Sequence, residues 1–321
     1  MIVITGAAGF IGSGLMARLN EEGIFHILAV DDFSSAAKQG NYATKRFLNL
    51  QDRMEFLRWL DLQYESVEFI FHLGARTDTT EADINVLNRL NLKYSVELWN
   101  RCVRYQIPLL YASTAATYGA GELGYDDDVK LLPYLKPLNP YGKSKHAFDK
   151  WVIQQKEHPP RWWGLKFFNV YGPNEYHKGR MASVVFHGFQ EIRKRRRLTL
   201  FRSHRPDFAD GMQCRDFIYV KDVVDVLVWL YRTMPASGIY NVGTGQARTF
   251  LDLATATFAA MGLEPGVDFI DIPEDIRPWY QYHTEARIDR LRNLGYNKPF
   301  HTMEEGIADY VGEYLLKNRY W

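Results

Sequence analysis

The sequence has few cysteines, no marked excess of charge of either sign and no long apolar run. Its 321 residues include two cysteines, Cys102 and Cys214, too few for a disulfide scaffold and in no spacing typical of metal ligands, so we expect no metal site. Thirty-nine Lys and Arg balance 38 Asp and Glu, so no field of one sign attracts nucleic acid or a membrane surface. No apolar run approaches the roughly 20 residues that span a bilayer. Met1 leads directly into an apolar segment, so we expect no signal peptide and a cytoplasmic location.

Hydrophobic residues make up 46% of the sequence. The strands and helices predicted from their pattern follow one another in β-α-β-α order. This order predicts an α/β fold, a Rossmann-like doubly wound parallel sheet with helices on both faces. Strands are predicted at 2–5, 27–30, 67–72, 109–113 and 165–168. Helices are predicted at 11–22, 51–60, 84–105, 140–155, 181–195, 221–234, 250–261 and 303–316. Loops are predicted at 125–128 and 203–213, and the basic run 193–197 is interpreted as a solvated helix end.

A glycine-rich turn follows the first predicted strand. Gly6, Gly9 and Gly12 stand in a G-x-x-G-x-x-G spacing and lead into an amphipathic helix. A strand, a glycine turn and a helix N-terminus together direct free backbone N–H groups at one point, which suits a pyrophosphate. A plain tight turn is the alternative. The acidic pair Asp31 and Asp32 favours the pyrophosphate site, because it ends the next strand where a carboxylate can meet an adenosine ribose.

A second pattern points to proton transfer. Tyr141 and Lys145 are four residues apart in a predicted helix and therefore share one face. An ammonium beside a phenol favours the phenolate, so we expect the Tyr141 pKa to be lowered toward the range for proton transfer from an alcohol. A surface pair is the alternative. The hydroxyl of Thr114, at the carboxyl end of the fourth predicted strand, favours a site, because ligands bind at such strand ends.

Four motifs together resemble the extended short-chain dehydrogenase/reductases, the family of nucleotide-sugar epimerases and dehydratases. They are GAAGFIG at 6–12, STAATYG at 113–119, YGKSK at 141–145 and RDFIYVKDV at 215–223. Within that family the chain is most similar to the branch of ADP-heptose 6-epimerases, which serve the lipopolysaccharide core heptose pathway. The segment HKG at 177–179, followed by MASV at 181–184, carries this finer likeness.

The resemblance implies a role for each matching residue. Tyr141 would be a general acid/base, Lys145 its electrostatic partner, Thr114 a hydroxyl donor and Lys178 a second acid/base. Residues expected at the cofactor, NADP with NAD as the alternative, are Gly6, Gly9, Phe10, Ile11, Gly12, Asp31, Asp32, Lys38, Arg53, Leu73, Gly74, Ala75, Arg76, Thr77, Asn91 and Val170. Residues expected at an ADP-sugar are Asn169, Arg180, His187, Phe201, Arg215 and Tyr280.

The resemblance also implies an organisation. Residues 1–168 would form the dinucleotide-binding domain, and 169–321 would form a smaller, interwoven, mainly substrate-binding domain, with segments around 215–245 returning to the first. The expected partner is an ADP-sugar, with no nucleic acid or membrane, in a homo-oligomer for which the family suggests a pentamer.

The reaction implied is inversion of C6 of an ADP-heptose by transient oxidation, and three alternatives stay open. The first is a 4-epimerase of another nucleotide sugar. The second is a sugar 4,6-dehydratase, disfavoured because Ala115 and Ala116 stand where an Asp-Glu pair would be needed. The third is a dinucleotide-binding regulator, disfavoured by the retained Tyr141 and Lys145. Thr114 in place of the usual serine, Arg180 beside Lys178 and the long segment 203–213 are departures that bear on which sugar and base are bound.

Overall fold

The computed structural model describes residues 1–321 apart from 275, 278 and 279. The strands are β1 Ile2–Thr5, β2 Ile27–Asp31, β3 Asn49–Asp52, β4 Phe69–His72, β5 Leu109–Thr114, β6 Trp162–Phe167, β7 Asn169–Tyr171, β8 Leu198–Phe201, β9 Cys214–Tyr219, β10 Gly238–Val242, β11 Ala247–Thr249 and β12 Val267–Ile270. The α-helices are α1 Phe10–Glu21, α2 Gln39–Tyr42, α3 Arg53–Gln63, α4 Ile84–Leu87, α5 Tyr94–Arg104, α6 Pro140–Ile153, α7 Val184–Arg195, α8 Val220–Thr233, α9 Phe250–Ala260, α10 Asp289–Asn293 and α11 Met303–Asp309.

Seven strands form one parallel sheet in the order β10-β6-β5-β4-β1-β2-β3. Both faces of the central strands are covered, and the four residues of β1 and of β4 are all buried, as expected for a parallel sheet. The order from β3 to β6 is that of a doubly wound dinucleotide-binding sheet. The predicted Rossmann-like fold is therefore confirmed.

Helices cover the two faces of the sheet. On one face α1 and α8 pack together, with Leu15 and Val224 in a core that continues to α9 and α11. On the other face α3, α5 and α6 bury Phe56, Trp99 and Phe148 against the strands. Two smaller sheets, β11-β9-β7 and β12-β8, stand beside the large one. Within the described part of the chain, no helix has the length and apolar character to cross a membrane.

One predicted helix starts later than expected, and two others differ in their internal hydrogen bonding. The helix predicted at 51–60 begins at Arg53, because 49–52 pairs with β2 as an exposed edge strand and Asp52 caps the helix by accepting a hydrogen bond from Met54 N. The helix predicted at 84–105 contains a π-helical stretch, Asn88–Lys93. The helix predicted at 303–316 likewise continues from α11 into the π-helical turns Tyr310–Leu315.

Other boundaries moved as well. The strand predicted at 67–72 begins at Phe69, and the strand predicted at 165–168 begins earlier, at Trp162. The helix predicted at 181–195 begins at Val184, because Ser183 accepts a hydrogen bond from Phe186 N and caps it. The edge strand β10 and the short strands β7, β8, β9, β11 and β12 were not predicted. The segments 125–128 and 203–213 contain no α-helix or β-strand, as predicted.

Candidate active site

The carboxyl ends of five strands of the large sheet open into a cavity of about 920 Å³. The last residue of each strand lines it: Thr5, Asp31, His72, Thr114 and Phe167. This sheet edge is where doubly wound α/β proteins bind ligands. The cavity is also lined by Tyr141, Lys145, Lys178, Asn169 and every predicted cofactor residue except Asn91.

The glycine turn between β1 and α1 leaves no room for side chains. Gly6 has a φ of +73°, and a Cβ there would lie 2.7 Å from Gly74 N. A Cβ on Gly12 would lie 2.2 Å from the Gly6 carbonyl oxygen. Gly9 caps α1 without a side chain, so the first N–H groups of the helix face the cavity free of side-chain partners. This cradle fits the pyrophosphate of a dinucleotide.

The acidic pair after β2 is held by the two predicted cations. Asp31 is buried; its Oδ2 accepts from Ala8 N at 2.9 Å, and its Oδ1 accepts from Lys38 Nζ at 2.9 Å. Asp32 is more open and accepts from Arg53 at 3.1 Å. Hydrogen bonds from the side chain and backbone of Ser34 hold the Asp32 pKa below its usual range. Each predicted cation therefore stands beside a carboxylate.

A buried amide links this end of the cavity to the segment that carries Lys178. Asn41 Nδ2 donates to the Ala8 carbonyl oxygen at 3.0 Å and lies 3.1 Å from Nδ1 of His177. Burial lowers the pKa of His177 to about 4, so the ring is neutral near pH 7 and its Nδ1 can accept from the amide. We call this contact the Asn41 bridge.

Three predicted catalytic residues meet at the start of α6. Asn139 caps this helix by accepting from Gly142 N at 2.7 Å, and Pro140 occupies its first position, where a missing N–H costs nothing. Tyr141 therefore lies in the first turn and Lys145 one turn later, and both line the cavity with Thr114, the last residue of β5.

The expectation of a lowered Tyr141 pKa was wrong for the protein alone. Burial raises the pKa of Tyr141 to about 12, and its hydrogen bond with Thr114 offsets only part of this rise. Burial also lowers the pKa of Lys145 to about 8. Desolvation thus disfavours both charged forms, and it outweighs the attraction expected between an ammonium and a phenolate.

Lys178 reaches the cavity from a separate segment, the 3₁₀ turns Tyr176–Met181. Its ammonium lies 5.1 Å from the centre of the Phe10 ring, at the start of α1. Burial lowers its pKa below the usual range, and the nearby Glu175 carboxylate acts against this shift. Glu175 is itself buried and accepts from Ser183 N at 2.5 Å and Ser183 Oγ at 2.7 Å. The segment is therefore anchored to the N-terminus of α7.

Six predicted residues do not line the cavity. Asn91 instead lies behind its wall, accepting from Arg76 N at 2.8 Å and donating to the Arg76 carbonyl oxygen at 3.0 Å. Arg180 is exposed, contacts Thr80 and lies 3.8 Å from Asp78. His187 packs against the ring of Phe186.

The remaining three form a cluster beyond Phe250, a residue of the cavity wall. The Arg215 guanidinium lies 5.5 Å from the centre of the Phe250 ring and 5.2 Å from that of Tyr280. Phe201 meets Tyr280 edge to face at 5.9 Å. We call Phe201, Arg215 and Tyr280 the outer cluster.

Sequence reasoning missed several wall residues. They include Thr5, His72, Ser113, Phe167, His177, Phe217 and Phe250. The strand-end position of Thr5, His72, Ser113 and Phe167 was a usable signal. Phe217 lies within the quoted motif at 215–223, although no role was assigned to it. Nothing in the sequence pattern pointed to Phe250, which tertiary packing brings to the wall.

Comparison with known proteins agrees with this geometry. The model of the NAD dependent epimerase/dehydratase family matches residues 2–243. A Fusobacterium nucleatum protein named ADP-L-glycero-D-manno-heptose-6-epimerase is 47% identical over 327 residues, covering 99% of this chain and 98% of that protein. The crystal structure of the Helicobacter pylori ADP-L-glycero-D-manno-heptose-6-epimerase superposes with a TM-score of 0.81 at 28% identity, covering 97% of this chain and 95% of the other.

A UDP-glucose 4-epimerase from Thermus thermophilus, solved with NAD, superposes with a TM-score of 0.75 at 26% identity over 97% of each chain. The cofactor class is therefore a nicotinamide dinucleotide, which agrees with the glycine cradle. The chain belongs to the NAD dependent epimerase/dehydratase family.

Proposed function

We propose that this protein is an ADP-heptose 6-epimerase that interconverts ADP-D-glycero- and ADP-L-glycero-D-manno-heptose. The observation that carries the proposal is a cavity with two proton-transfer groups on separate segments, Tyr141 on α6 and Lys178 on the turns before α7. The names of full-length relatives supply the substrate.

The chain's own residues move the protons. A bound nicotinamide supplies the acceptor and donor of the hydride at the carbon being inverted. Tyr141 takes the alcohol proton of one epimer as that carbon becomes a ketone, and the nearby Thr114 side chain favours the ionised phenol. Lys145 supplies positive charge one helical turn away. Lys178 gives a proton to the oxygen when the ketone is reduced from its other face, which yields the opposite configuration.

Two groups suit a carbon outside the sugar ring. The oxygen on such a side chain can swing between two positions while the rest of the sugar stays bound, so each position needs its own proton donor. The lowered Lys178 pKa supports this role, because a lysine that loses its proton more easily can act in both directions of a reversible reaction.

NADP is the proposed cofactor. Lys38 and Arg53 line the cavity beside the acidic pair, where they can bind a 2′-phosphate that the carboxylates alone would repel. We assign Asn169, Arg180, His187 and the outer cluster to the ADP-sugar. The homo-oligomer, the cytoplasmic location and the domain division at residue 168 stay predictions.

The test is the variant Lys178→Met, which keeps the length of the side chain and removes the proton. We expect interconversion of the two ADP-heptoses to fall by roughly 10²–10⁴-fold, as it should in Tyr141→Phe, with the cofactor retained in both. Lys143→Met is the matched control, because Lys143 is exposed on α6 and outside the cavity. Inversion at C4 of UDP- or GDP-hexoses that survives Lys178→Met, with no activity on ADP-heptose, would make the chain a 4-epimerase.

A further inference from the structure

A buried ion pair lies behind the catalytic residues and outside the cavity lining. Lys166 of β6 is 1% exposed and Asp149 of α6 is 0% exposed, and Lys166 Nζ lies 3.0 Å from Asp149 Oδ2. Two residues of β5 also donate to this carboxylate: Ser113 Oγ at 2.7 Å and Tyr111 OH at 3.2 Å. One carboxylate therefore joins β5, β6 and α6.

The lysine of the pair fixes the segment after β5. Lys166 Nζ also donates to Thr117 Oγ1 at 2.5 Å, and Thr117 Oγ1 donates to the Thr114 carbonyl oxygen at 2.9 Å. Its ammonium lies 4.9 Å from the centre of the Tyr118 ring. Lys166 therefore holds the backbone of Thr114 through the Thr117 hydroxyl. Asp149 holds the neighbouring residue, Ser113.

On α6 the carboxylate stands in line with the catalytic pair. Asp149 lies one helical turn after Lys145 and two turns after Tyr141, on the same face. We propose that the Asp149–Lys166 pair is a positioning device, which fixes Thr114 against Tyr141 and sets the charge felt by Tyr141 and Lys145. The proposal rests on the proton-transfer role proposed for Tyr141.

Stability alone does not explain such a pair. Two well-packed apolar side chains in place of a buried ion pair are often as stable or more so, because they avoid the cost of removing charges from water. The pair also reaches beyond its own contacts: Asp149 raises the pKa of Lys145 and of Tyr141. Lys166 carries the opposite charge, so under the proposal it acts on both groups in the opposite direction.

Among the described residues, the other charged or titratable groups near the pair include His146 and Lys150 on α6, Tyr111 on β5, Tyr118 after β5 and His72 on β4, which faces Lys145. Asp126 and Asp127 lie near Tyr118. Burial keeps His72 and His146 neutral near pH 7, since it lowers the pKa of His72 to about 3 and of His146 to about 4. Besides Lys145, Asp149 is therefore the charge whose removal we expect to act on Tyr141, and Lys166 is the partner that opposes it.

The experiment compares Asp149→Asn, Lys166→Met and the double variant in the full-length protein. Ionisation of Tyr141 is measured without substrate, as the phenolate absorbance of each protein minus that of the same protein carrying Tyr141→Phe. We expect Asp149→Asn to move this ionisation about one pH unit lower, because it leaves the Lys166 charge unbalanced, and Lys166→Met to move it about one unit higher. The double variant should return close to the wild type.

A structural role alone predicts something different. Shifts in the same direction for both single variants, or no shift with only a loss of thermal stability, would overturn the proposal. Asp222→Asn is the control, because Asp222 is equally buried but bonds to His301 away from the cavity; it should leave the ionisation of Tyr141 unchanged. Opposite shifts without epimerisation of ADP-heptose by the wild type would leave the positioning role intact and sink the proposed substrate instead.

Discussion

Lys38 is the residue on which the proposed choice of NADP depends most. It pairs with the buried Asp31 at 2.9 Å, and Asp31 is already bound to the glycine turn through Ala8 N. A 2′-phosphate at this place would meet a cation with a carboxylate directly behind it. Without Lys38 the phosphate would face the carboxylate alone.

We therefore expect Lys38→Ala to weaken NADP about 10- to 100-fold, because a charge-assisted hydrogen bond to a phosphate is worth about 1.5–3 kcal/mol. The affinity for NAD should change much less. Equilibrium titration of the protein with each dinucleotide measures both affinities. Lys130→Ala is the control, because Lys130 is exposed and lies outside the cavity. Equal losses of affinity for NAD and NADP in Lys38→Ala would show that Lys38 does not determine which cofactor is bound.

At the scale of elements, the turn between β1 and α1 tolerates the least change. A Cβ on Gly12 would overlap the Gly6 carbonyl oxygen, which is backbone and cannot rotate away. The first turn of α1 would have to move, and its N–H groups would no longer point at the pyrophosphate.

Gly12→Ala should weaken binding of either dinucleotide at least about fivefold, because overpacking of this kind costs about 1–3 kcal/mol. The same titrations measure this loss. Gly312→Ala offers a matched control, since a Cβ there meets no atom within 4 Å and helix propensity alone favours alanine. Unchanged affinity in Gly12→Ala would show that the turn does not cradle the cofactor.

Helices and strands with a clear hydrophobic pattern in the sequence were predicted well, and those without such a pattern were not. The buried strands β1, β2 and β5 and the helix α1 follow from apolar runs broken by glycines. The edge strand β3 did not, because Asn49–Asp52 are mostly exposed and polar, so no hydrophobic period marks them. The π-helical stretch Asn88–Lys93 depends on packing that no local pattern reveals.

The same distinction holds within the site. Gly6, Tyr141 and Lys145 were predictable because a motif fixes their spacing, whereas Phe250 reaches the wall only through the packing of α9. The pKa of Tyr141 was predicted in the wrong direction, since the sequence shows the neighbouring lysine and hides the extent of burial. Chemistry that depends on desolvation requires the folded structure.

For the whole molecule, the buried histidines make stability depend on pH. His146 is 5% exposed, and burial lowers its pKa to about 4. In the unfolded chain His146 takes up a proton near pH 6.5, whereas in the folded chain it stays neutral until the pH is much lower. This residue therefore reduces the stability of the fold as the pH falls below about 6.5. At pH 5 the reduction is at most about 2 kcal/mol.

His146→Leu should remove that dependence. We expect the free energy of unfolding of the variant, relative to wild type, to rise by up to about 2 kcal/mol between pH 7.5 and pH 5. Urea unfolding at the two pH values measures the difference. Groups with raised pKa, such as the buried Glu175 and Asp216, act in the opposite direction, but they are common to both proteins and cancel. A constant difference at the two pH values would show that His146 is protonated in the folded state.

The Asn41 bridge has a consequence for how such an enzyme can change. One amide holds both the glycine turn, through Ala8, and His177, the neighbour of Lys178. A lineage that rebuilds residues 36–42 to accept a different dinucleotide therefore also disturbs the segment that carries Lys178, the second proton donor of the proposed mechanism. Under the proposed function, redesign of the cofactor preference therefore needs compensating changes around His177 and Lys178.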